Sequence, residues 1–287
     1  MEHIAPTPAA AAGMERVVFF DDFDSSETVD MNNEQTPDFH WYVDRAYGRP
    51  PMRPEEIEWH TEESFVRLKG ENGCGLSSVC SHTGEGFSWK YGYIEARIRI
   101  EEIEKIGETP PLFYMLALPD YLGKAWVDNG LISVFTCPKT KNKQGKRAPY
   151  YAGALFHYQR SWERDRDGKP IVRSASNLVN ATGYHDWFTF LDEEWHTYGL
   201  LWEPGHIAWF MDGKEMHSVR FGVGELPRHY YRNQPTPLQP IEGQDLKYAS
   251  RQWLGAYTVF NDEPMLIDLC ARAEWPMDVD WVRVWQK

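Results

Sequence analysis

The segment FHYQR near the middle of the chain contains two residues that can move a proton, His157 and Tyr158. Either side chain can act as a Brønsted base when its surroundings tune its pKa. β-Elimination from a uronic acid needs such a base and a group that neutralises the sugar carboxylate, for which Gln159, Arg160 or Asn129 is suited. The residue types in this segment therefore suit a base-catalysed elimination, with a purely structural histidine as the alternative. Because side chains alternate along a strand, at most one of His157 and Tyr158 faces a given cleft.

The same segment lies in a basic stretch of an acidic protein. The chain has 30 Lys and Arg residues against 43 Asp and Glu residues, which gives a formal net charge of −13. Residues 139–173 reverse this balance, with ten basic and three acidic side chains. We expect this stretch to form a cationic rim for an anionic glycan, with a solvated loop as the alternative. The overall acidity argues against a nucleic-acid partner.

Aromatic residues make up 15% of the chain, which is a heavy share at a mean hydropathy of −0.59. Rings of this kind stack on the apolar faces of sugars, and the alternative for each is a place in the hydrophobic core. The candidates for sugar stacking are Trp89, Tyr114, Trp126, Trp187 and Trp253. Separately, Asp128 is a candidate acid for hydrolysis.

Alternating polar and apolar residues predict the elements that must position these groups. The segments 93–100 and 279–285 alternate with a period of two, which is typical of half-buried antiparallel strands. Asp212-Gly213 separates two further alternating segments and predicts a hairpin. The continuous apolar runs 113–118 and 131–135 predict strands in the centre of a sandwich. The chain is therefore predicted to be an all-β jelly-roll sandwich of two antiparallel sheets.

The sequence contains neither an internal repeat nor a linker that would divide two cores, so we expect one domain, residues 17–287, after a flexible N-terminal extension, residues 1–16. This extension lacks the basic and apolar regions of a secretory signal, so we expect a cytoplasmic protein or an exported one recorded after processing. No apolar run approaches the roughly 18 residues of a membrane helix, so no membrane partner is expected. The oligomeric state is left open.

Several segments, taken in order, resemble glycoside hydrolase family 16, the laminarinase, lichenase and agarase group. The resemblance covers nearly the whole chain after residue 16. It rests on the motifs VFFDDFD, YGYIEARI, PLFYML, WHTYGLLWEP with FMDG, and VDWVRVW, which begin at residues 18, 91, 111, 195 and 279. The resemblance implies a concanavalin A-like jelly roll with a concave glycan-binding cleft. It also places Tyr114, Trp126 and the strand with His157 in that cleft.

The resemblance breaks at the catalytic strand. The family carries Glu-x-Asp-x-x-Glu, whose outer carboxylates act as nucleophile and acid/base in a retaining mechanism. The segment WVDNGLISVFT fits that frame without a gap and has Leu131, Ser133 and Thr136 at the three positions. A bulge in the strand is needed to bring all three to one face. Leucine cannot form a glycosyl ester and threonine cannot protonate a leaving oxygen at neutral pH, so we do not expect the usual double displacement here.

These observations predict a carbohydrate-active protein that cleaves a polysaccharide or oligosaccharide as a lyase or an atypical hydrolase. An inactive sugar-binding protein is the alternative. The predicted catalytic residues are His157, Tyr158 and Asp128. The predicted substrate-binding residues are Tyr114, Trp126, Asn129, Ser133, Gln159, Arg160, Trp187 and Trp253. No cofactor is required, although the resemblance implies a structural calcium ion near Asp22 and Asp280.

Overall fold

The computed structural model describes part of the chain, and every structural statement below refers to that part. The described residues are 4–44, 50–69, 75–100, 111–123, 130–136, 151–164, 170–176, 193–204, 206–220, 264–271 and 276–287. Among them, the strands form two sheets that pack face to face, and every pair within a sheet is antiparallel except the parallel pairing of Val29–Asp30 with Trp41–Tyr42. The predicted all-β sandwich is thus confirmed.

The first sheet contains the segments that alternate most clearly in the sequence. In spatial order it comprises β15 (Lys214–Arg220), β14 (His206–Met211), β13 (His196–Glu203), β8 (Gly92–Ile100), β17 (Met277–Gln286), β5 (Phe65–Leu68) and β4 (Ile57–His60), with β1 (Arg16–Asp21) paired to β17. The predicted hairpin joins β14 to β15, and both turn residues, Asp212 and Gly213, have positive φ. This conformation matches the right-handed twist of the two strands.

The second sheet contains the continuous apolar segments. In spatial order it comprises β12 (Pro170–Ser176), β11 (Tyr151–Arg164), β10 (Gly130–Thr136), β9 (Leu112–Ala117), β16 (Met265–Cys270), β6 (Gly75–Ser77), β3 (Trp41–Tyr42) and β2 (Val29–Asp30), with β7 (Ser88–Trp89) paired to β16. The main core lies between the sheets and includes Ile94, Ile98, Met115, Ile132 and Ile267. Each sheet therefore has one inner face in the core and one outer face.

Two helices were not anticipated from the sequence pattern: α1 (Thr7–Ala11) and α2 (Leu118–Gly123). The apolar run that predicts a strand over 113–118 gives way to α2 at Leu118, because Pro119 suits the first turn of a helix. In addition, the described part of the N-terminal extension does not project from the fold. Ala9 and Met14 are buried on the outer face of the first sheet.

This packing explains why one end of β8 departs from the expected alternation. The pattern places the charged residues of the strand on an exposed face, yet Glu95 is only 5% exposed. Its Oε1 accepts a hydrogen bond from Tyr93 Oη at 2.9 Å. Burial raises the pKa of Glu95, although the Tyr93 hydrogen bond and the charge of Arg283 act in the opposite direction. Folding therefore makes this carboxyl harder to ionise than a free glutamic acid side chain.

Replacing Glu95 by glutamine is expected to stabilise the protein at neutral and alkaline pH. A raised pKa in the folded state contributes stability below the usual value of 4.5, and this contribution is lost as the pH rises through the folded pKa. Glu95→Gln removes that loss and keeps an acceptor for Tyr93. Urea unfolding at pH 4 and pH 8 should show a gain at pH 8 that shrinks at pH 4. The same change at the exposed Glu215 should show no such difference between the two pH values, and an equal gain at both would contradict the assignment.

Candidate functional site

The strand β10 lies between β9 and β11 and carries the bulge that the sequence pattern requires. Its pairing with β9 shifts between Ser133 and Phe135, and its pairing with β11 shifts between Ser133 and Thr136. As a result Val134 and Phe135, two consecutive residues, both lie in the core. The backbone pairing resumes at Phe135 with β9 and at Thr136 with β11.

The bulge aligns the three positions that carry carboxylates in the family. In the pairing with β9, Leu131 lies opposite Leu116, Ser133 opposite Tyr114, and Thr136 opposite Leu112. Leu116, Tyr114 and Leu112 all belong to or pack against an apolar cluster separate from the main core. Positions 131, 133 and 136 are thus paired with residues that belong to one outer face of the second sheet.

A row of polar residues crosses this outer face from strand to strand. The residues lie directly opposite one another in the pairings β10–β9, β9–β16, β16–β6 and β6–β3. We call them the polar row, and they are Ser133, Tyr114, Asp268, Ser77 and Tyr42. All five are less than 6% exposed. A buried polar row of this kind requires hydrogen-bond partners, since an unsatisfied buried group is costly.

The partners are known for part of the polar row. Tyr114 Oη donates to Asp268 Oδ2 at 3.1 Å, which joins the phenol to the only carboxylate of the row. Tyr42 Oη donates to the Thr36 carbonyl at 2.9 Å, and burial raises the pKa of this phenol. Ser133 Oγ and Ser77 Oγ have no hydrogen-bond partner among the described residues.

The bulge is held from the opposite sheet. Trp209 on β14 is fully buried, and its Nε1 donates to the Ser133 carbonyl at 2.9 Å across the core. Because the contact uses the backbone of β10, it does not depend on the side chain at position 133.

Apolar side chains flank the polar row. Leu116 pairs with Leu266 in the next register position, and both are buried. Tyr121 from α2 packs on the same cluster, and its Oη donates to the Asp44 carbonyl at 3.3 Å. In the described part of the outer face, the polar row is therefore flanked by apolar side chains.

The structure brings together two of the predicted substrate-binding residues, Tyr114 and Ser133, at neighbouring register positions. Asp268, which lies beyond Tyr114, was missed in the sequence. The segment MLIDLC offered a clue, since it is a strand-length apolar run with one acid in its middle. An acid at that place must face either the core or the opposite face, and its role depends on neighbours that the sequence does not reveal.

The proposed proton-transfer segment falls on β11, for which the structure gives the backbone pairing. Ser133 lies opposite Gly153 and Leu131 opposite Leu155. His157 lies two residues further along, opposite Ser174 of β12, so it has the same strand phase as Gly153 and Leu155. Tyr158 and Arg160 have the other phase, and Gln159 shares that of His157. The expectation that at most one of the pair faces the cleft thus favours His157 over Tyr158.

One remaining prediction is wrong, and several others concern residues outside the described part. Trp89 is a core residue, with its ring 5.6 Å from that of Trp202 in an edge-on contact, so it is not a platform for sugar. The predicted residues outside the described part are Trp126, Asp128, Asn129, Trp187 and Trp253.

The implied calcium ligands do not fit a hard divalent cation. Asp280 accepts a hydrogen bond from Arg97, and Arg283 lies 3.9 Å from the Asp22 carboxylate. Burial raises the pKa of Asp280 even beside these cations. The described residues contain no group of three or more His, Cys, Asp or Glu side chains that could hold a metal. A calcium ion would have to displace at least one guanidinium.

We therefore expect calcium to leave the stability of the protein unchanged. The midpoint of thermal unfolding should be the same after EDTA treatment and after addition of excess Ca²⁺. Arg97→Met supplies the comparison, because it removes the cation beside Asp280 and leaves that carboxylate open to another. A calcium-dependent rise in the midpoint of the unmodified protein would show that the implied site exists.

Comparisons with known proteins identify a matching family model and relatives with a similar fold. The family model described as "Glycosyl hydrolases family 16" matches residues 174–241. A xylanase/beta-glucanase of Ruminococcus flavefaciens is 32% identical over 65 residues, which is 21% of this chain and 8% of that protein. The chain thus spans less than a tenth of that relative. Among the described residues, no helix is long and apolar enough to cross a membrane.

Solved structures of glucanases share the fold over nearly the whole chain. The laminarinase catalytic domain from Thermotoga maritima aligns with a TM-score of 0.53 at 16% identity, over 95% of this chain and 98% of that one. The endo-beta-1,3-glucanase from Pyrococcus furiosus gives 0.52 at 15% identity, over 96% and 95%. A family 16 protein from Bacteroides ovatus gives 0.51 at 15%, over 93% and 99%. The resemblance to glycoside hydrolase family 16 is thus confirmed, by the family model over residues 174–241 and by the fold over nearly the whole chain.

Proposed function

We propose that the protein binds a polysaccharide or oligosaccharide on the outer face of the second sheet and cleaves it without a pair of catalytic carboxylates. The observation that carries this proposal is the bulged strand β10, which keeps the frame of a catalytic strand but has Leu131, Ser133 and Thr136 in it. The glucanase names of the structural relatives support a glycan as the ligand.

Elimination is the cleavage reaction that best suits the residues present. In this reaction a base removes the proton from C5 of a uronic acid, the C4–O bond breaks to leave a C4–C5 double bond, and the departing sugar oxygen takes a proton from the protonated base or from water. His157 has the strand phase of Ser133 and is the proposed base. Gln159, which shares the strand phase of His157, or Asn129 would bind the uronate carboxylate, whereas Arg160 has the opposite phase. Atypical hydrolysis instead requires an acid displaced from the usual frame, for which Asp128 is the proposed candidate.

A binding protein without catalytic activity is the second candidate, and the burial of the face favours it. Leu116, Leu266 and Tyr121 are each at most 2% exposed, so apolar packing fills much of the described face. Such packing is consistent with a strand that no longer has to admit a catalytic water.

A panel of neutral and anionic glycans distinguishes these functions. Unsaturated uronates, detected by absorbance near 235 nm, would establish a lyase, and new reducing ends without that absorbance would establish hydrolysis. Retention of a glycan in affinity electrophoresis without either product would leave the binding function alone. His157→Ala is expected to abolish lyase activity, whereas His206→Ala, on the first sheet, is expected to leave it unchanged. Failure of every glycan to bind would contradict the proposal.

A further inference from the structure

We infer that the outer face of the first sheet carries a second glycan-binding site, formed by Trp195 and Trp281 on either side of Arg97. This site goes beyond the proposed function, because it lies on the opposite side of the sandwich from the outer face of the second sheet. The two sites share only their class of ligand, a polysaccharide or oligosaccharide. A protein with both sites holds two segments of a glycan at once.

The direction of these side chains follows from the strands that carry them. The even-numbered residues from 94 to 100 of β8 lie in the core, so Arg97 points to the outer face. On β17 the pairing with β8 shifts after Val279, and the next core residue is Val282. This bulge brings two consecutive residues, Asp280 and Trp281, to the outer face.

The two tryptophans lie on opposite sides of β8. Trp281 is directly opposite Arg97 in the pairing of β17 with β8, and Trp195 comes just before β13, which is the other neighbour of β8. Neighbouring strands are about 4.8 Å apart, so the backbones at Trp195 and Trp281 are about 10 Å apart. A glycan that crosses the strands can therefore stack on both rings and contact Arg97 between them.

Both rings pack on arginine side chains. The guanidinium carbons of Arg97 and Arg99 lie 5.0 and 4.7 Å from the centre of the Trp195 ring. That of Arg283 lies 4.3 Å from the centre of the Trp281 ring. Trp195 and Trp281 are half-buried, and neither belongs to the hydrophobic clusters of the described residues. Such contacts orient an indole while part of its surface stays open to solvent.

The ion pair between the rings supplies polar contacts for a sugar. Arg97 donates to Asp280, and the Arg97 side chain is 40% exposed. A guanidinium has five N–H donors, so Arg97 can donate to sugar hydroxyls as well as to Asp280, and the carboxylate can accept from them. The pair has no net charge. The site therefore recognises hydroxyl groups and does not depend on acidic groups of the glycan.

The number of bound oligosaccharides per chain tests for this second site. The probes are hexasaccharides of β-1,3-glucan, mixed-linkage β-glucan, xylan and polygalacturonic acid, titrated by isothermal calorimetry into His157→Ala so that elimination does not consume them. At least one probe is expected to bind at two sites per chain. Trp195→Ala and Trp281→Ala, each added to this background, are expected to weaken one of the two sites by about tenfold or more.

Trp59 provides a matched control. It is also a half-buried tryptophan of the first sheet, but it packs against the main core. Trp59→Ala should therefore leave both sites unchanged. Thermal unfolding of each variant shows that it is folded, and either Trp195→Ala or Trp281→Ala alone is sufficient for the test.

The possible results separate this inference from the proposed function. One site per chain that neither Trp195→Ala nor Trp281→Ala weakens would overturn the inference and leave the proposed function intact. One site that both variants weaken would support the inference and contradict binding on the second sheet. Two sites of unchanged affinity in both variants would overturn the assignment to these rings. Absence of binding by all four probes would overturn the inference as well as the proposed function.

Discussion

Replacement of Asp278 by alanine is expected to lower the free energy of unfolding by about 3–5 kcal/mol, the usual cost of breaking a buried ion pair. Asp278 is 1% exposed and lies opposite Arg99 on one neighbouring strand and Arg67 on the other. Arg67 donates to its two oxygens at 2.6 and 2.8 Å, and Arg99 donates at 2.7 and 3.0 Å. The substitution removes the shared acceptor of both guanidiniums and so weakens the joint between β5, β17 and β8.

The neighbouring Asp280 provides a matched control for this effect. It lies on the same strand and pairs with Arg97, but the Arg97 side chain is 40% exposed. An exposed ion pair contributes at most about 1 kcal/mol, so Asp280→Ala should cost much less than Asp278→Ala. Urea unfolding monitored by circular dichroism gives both values. Equal losses for the two variants would show that the double pairing of Asp278 adds nothing to the stability of the sheet.

The second large effect is expected at Trp209, whose replacement by phenylalanine should cost about 2–4 kcal/mol. The indole is fully buried, so the smaller ring leaves a cavity, and the Ser133 carbonyl loses its donor. The loss of that donor frees the bulge of β10 to shift. We therefore expect Trp209→Phe to weaken glycan binding as well as stability, although Trp209 lies in the core.

Trp202 is the control that separates ring size from the hydrogen bond. It is also fully buried, but its Nε1 has no hydrogen-bond partner among the described residues. Trp202→Phe should therefore cost only the loss of packing and leave glycan binding unchanged. The difference between the two variants measures the hydrogen bond to the bulge. Equal effects on stability, or loss of glycan binding in both variants, would contradict a specific role for Trp209.

The sequence allowed the fold to be predicted because the relevant patterns are local. Alternation over residues 93–100 fixes the core face of β8, and Asp212-Gly213 fixes a hairpin through its backbone conformation. The bulge in β10 could also be anticipated, from the spacing of three positions within six residues. Each of these features depends on residues close together in the chain.

The site could be predicted only in part because it depends on pairing between distant segments. Ser77, Tyr114, Ser133 and Asp268 are spread over nearly 200 residues, and only the strand register aligns them. In the same way, Glu95 is buried although its own strand pattern predicts an exposed charge. The pattern within β8 cannot predict that residues near the N terminus pack on this face of the sheet.

The contact between Trp209 and the backbone of Ser133 has a consequence for how this strand can change over time. One hydrogen bond that holds the bulge comes from a residue of the other sheet, and it ends on the backbone of Ser133 rather than on a side chain. This hydrogen bond can therefore persist when the side chains at positions 131, 133 and 136 are replaced by other functional groups. The same strand can therefore lose one set of catalytic groups and gain another while it keeps this support for its backbone.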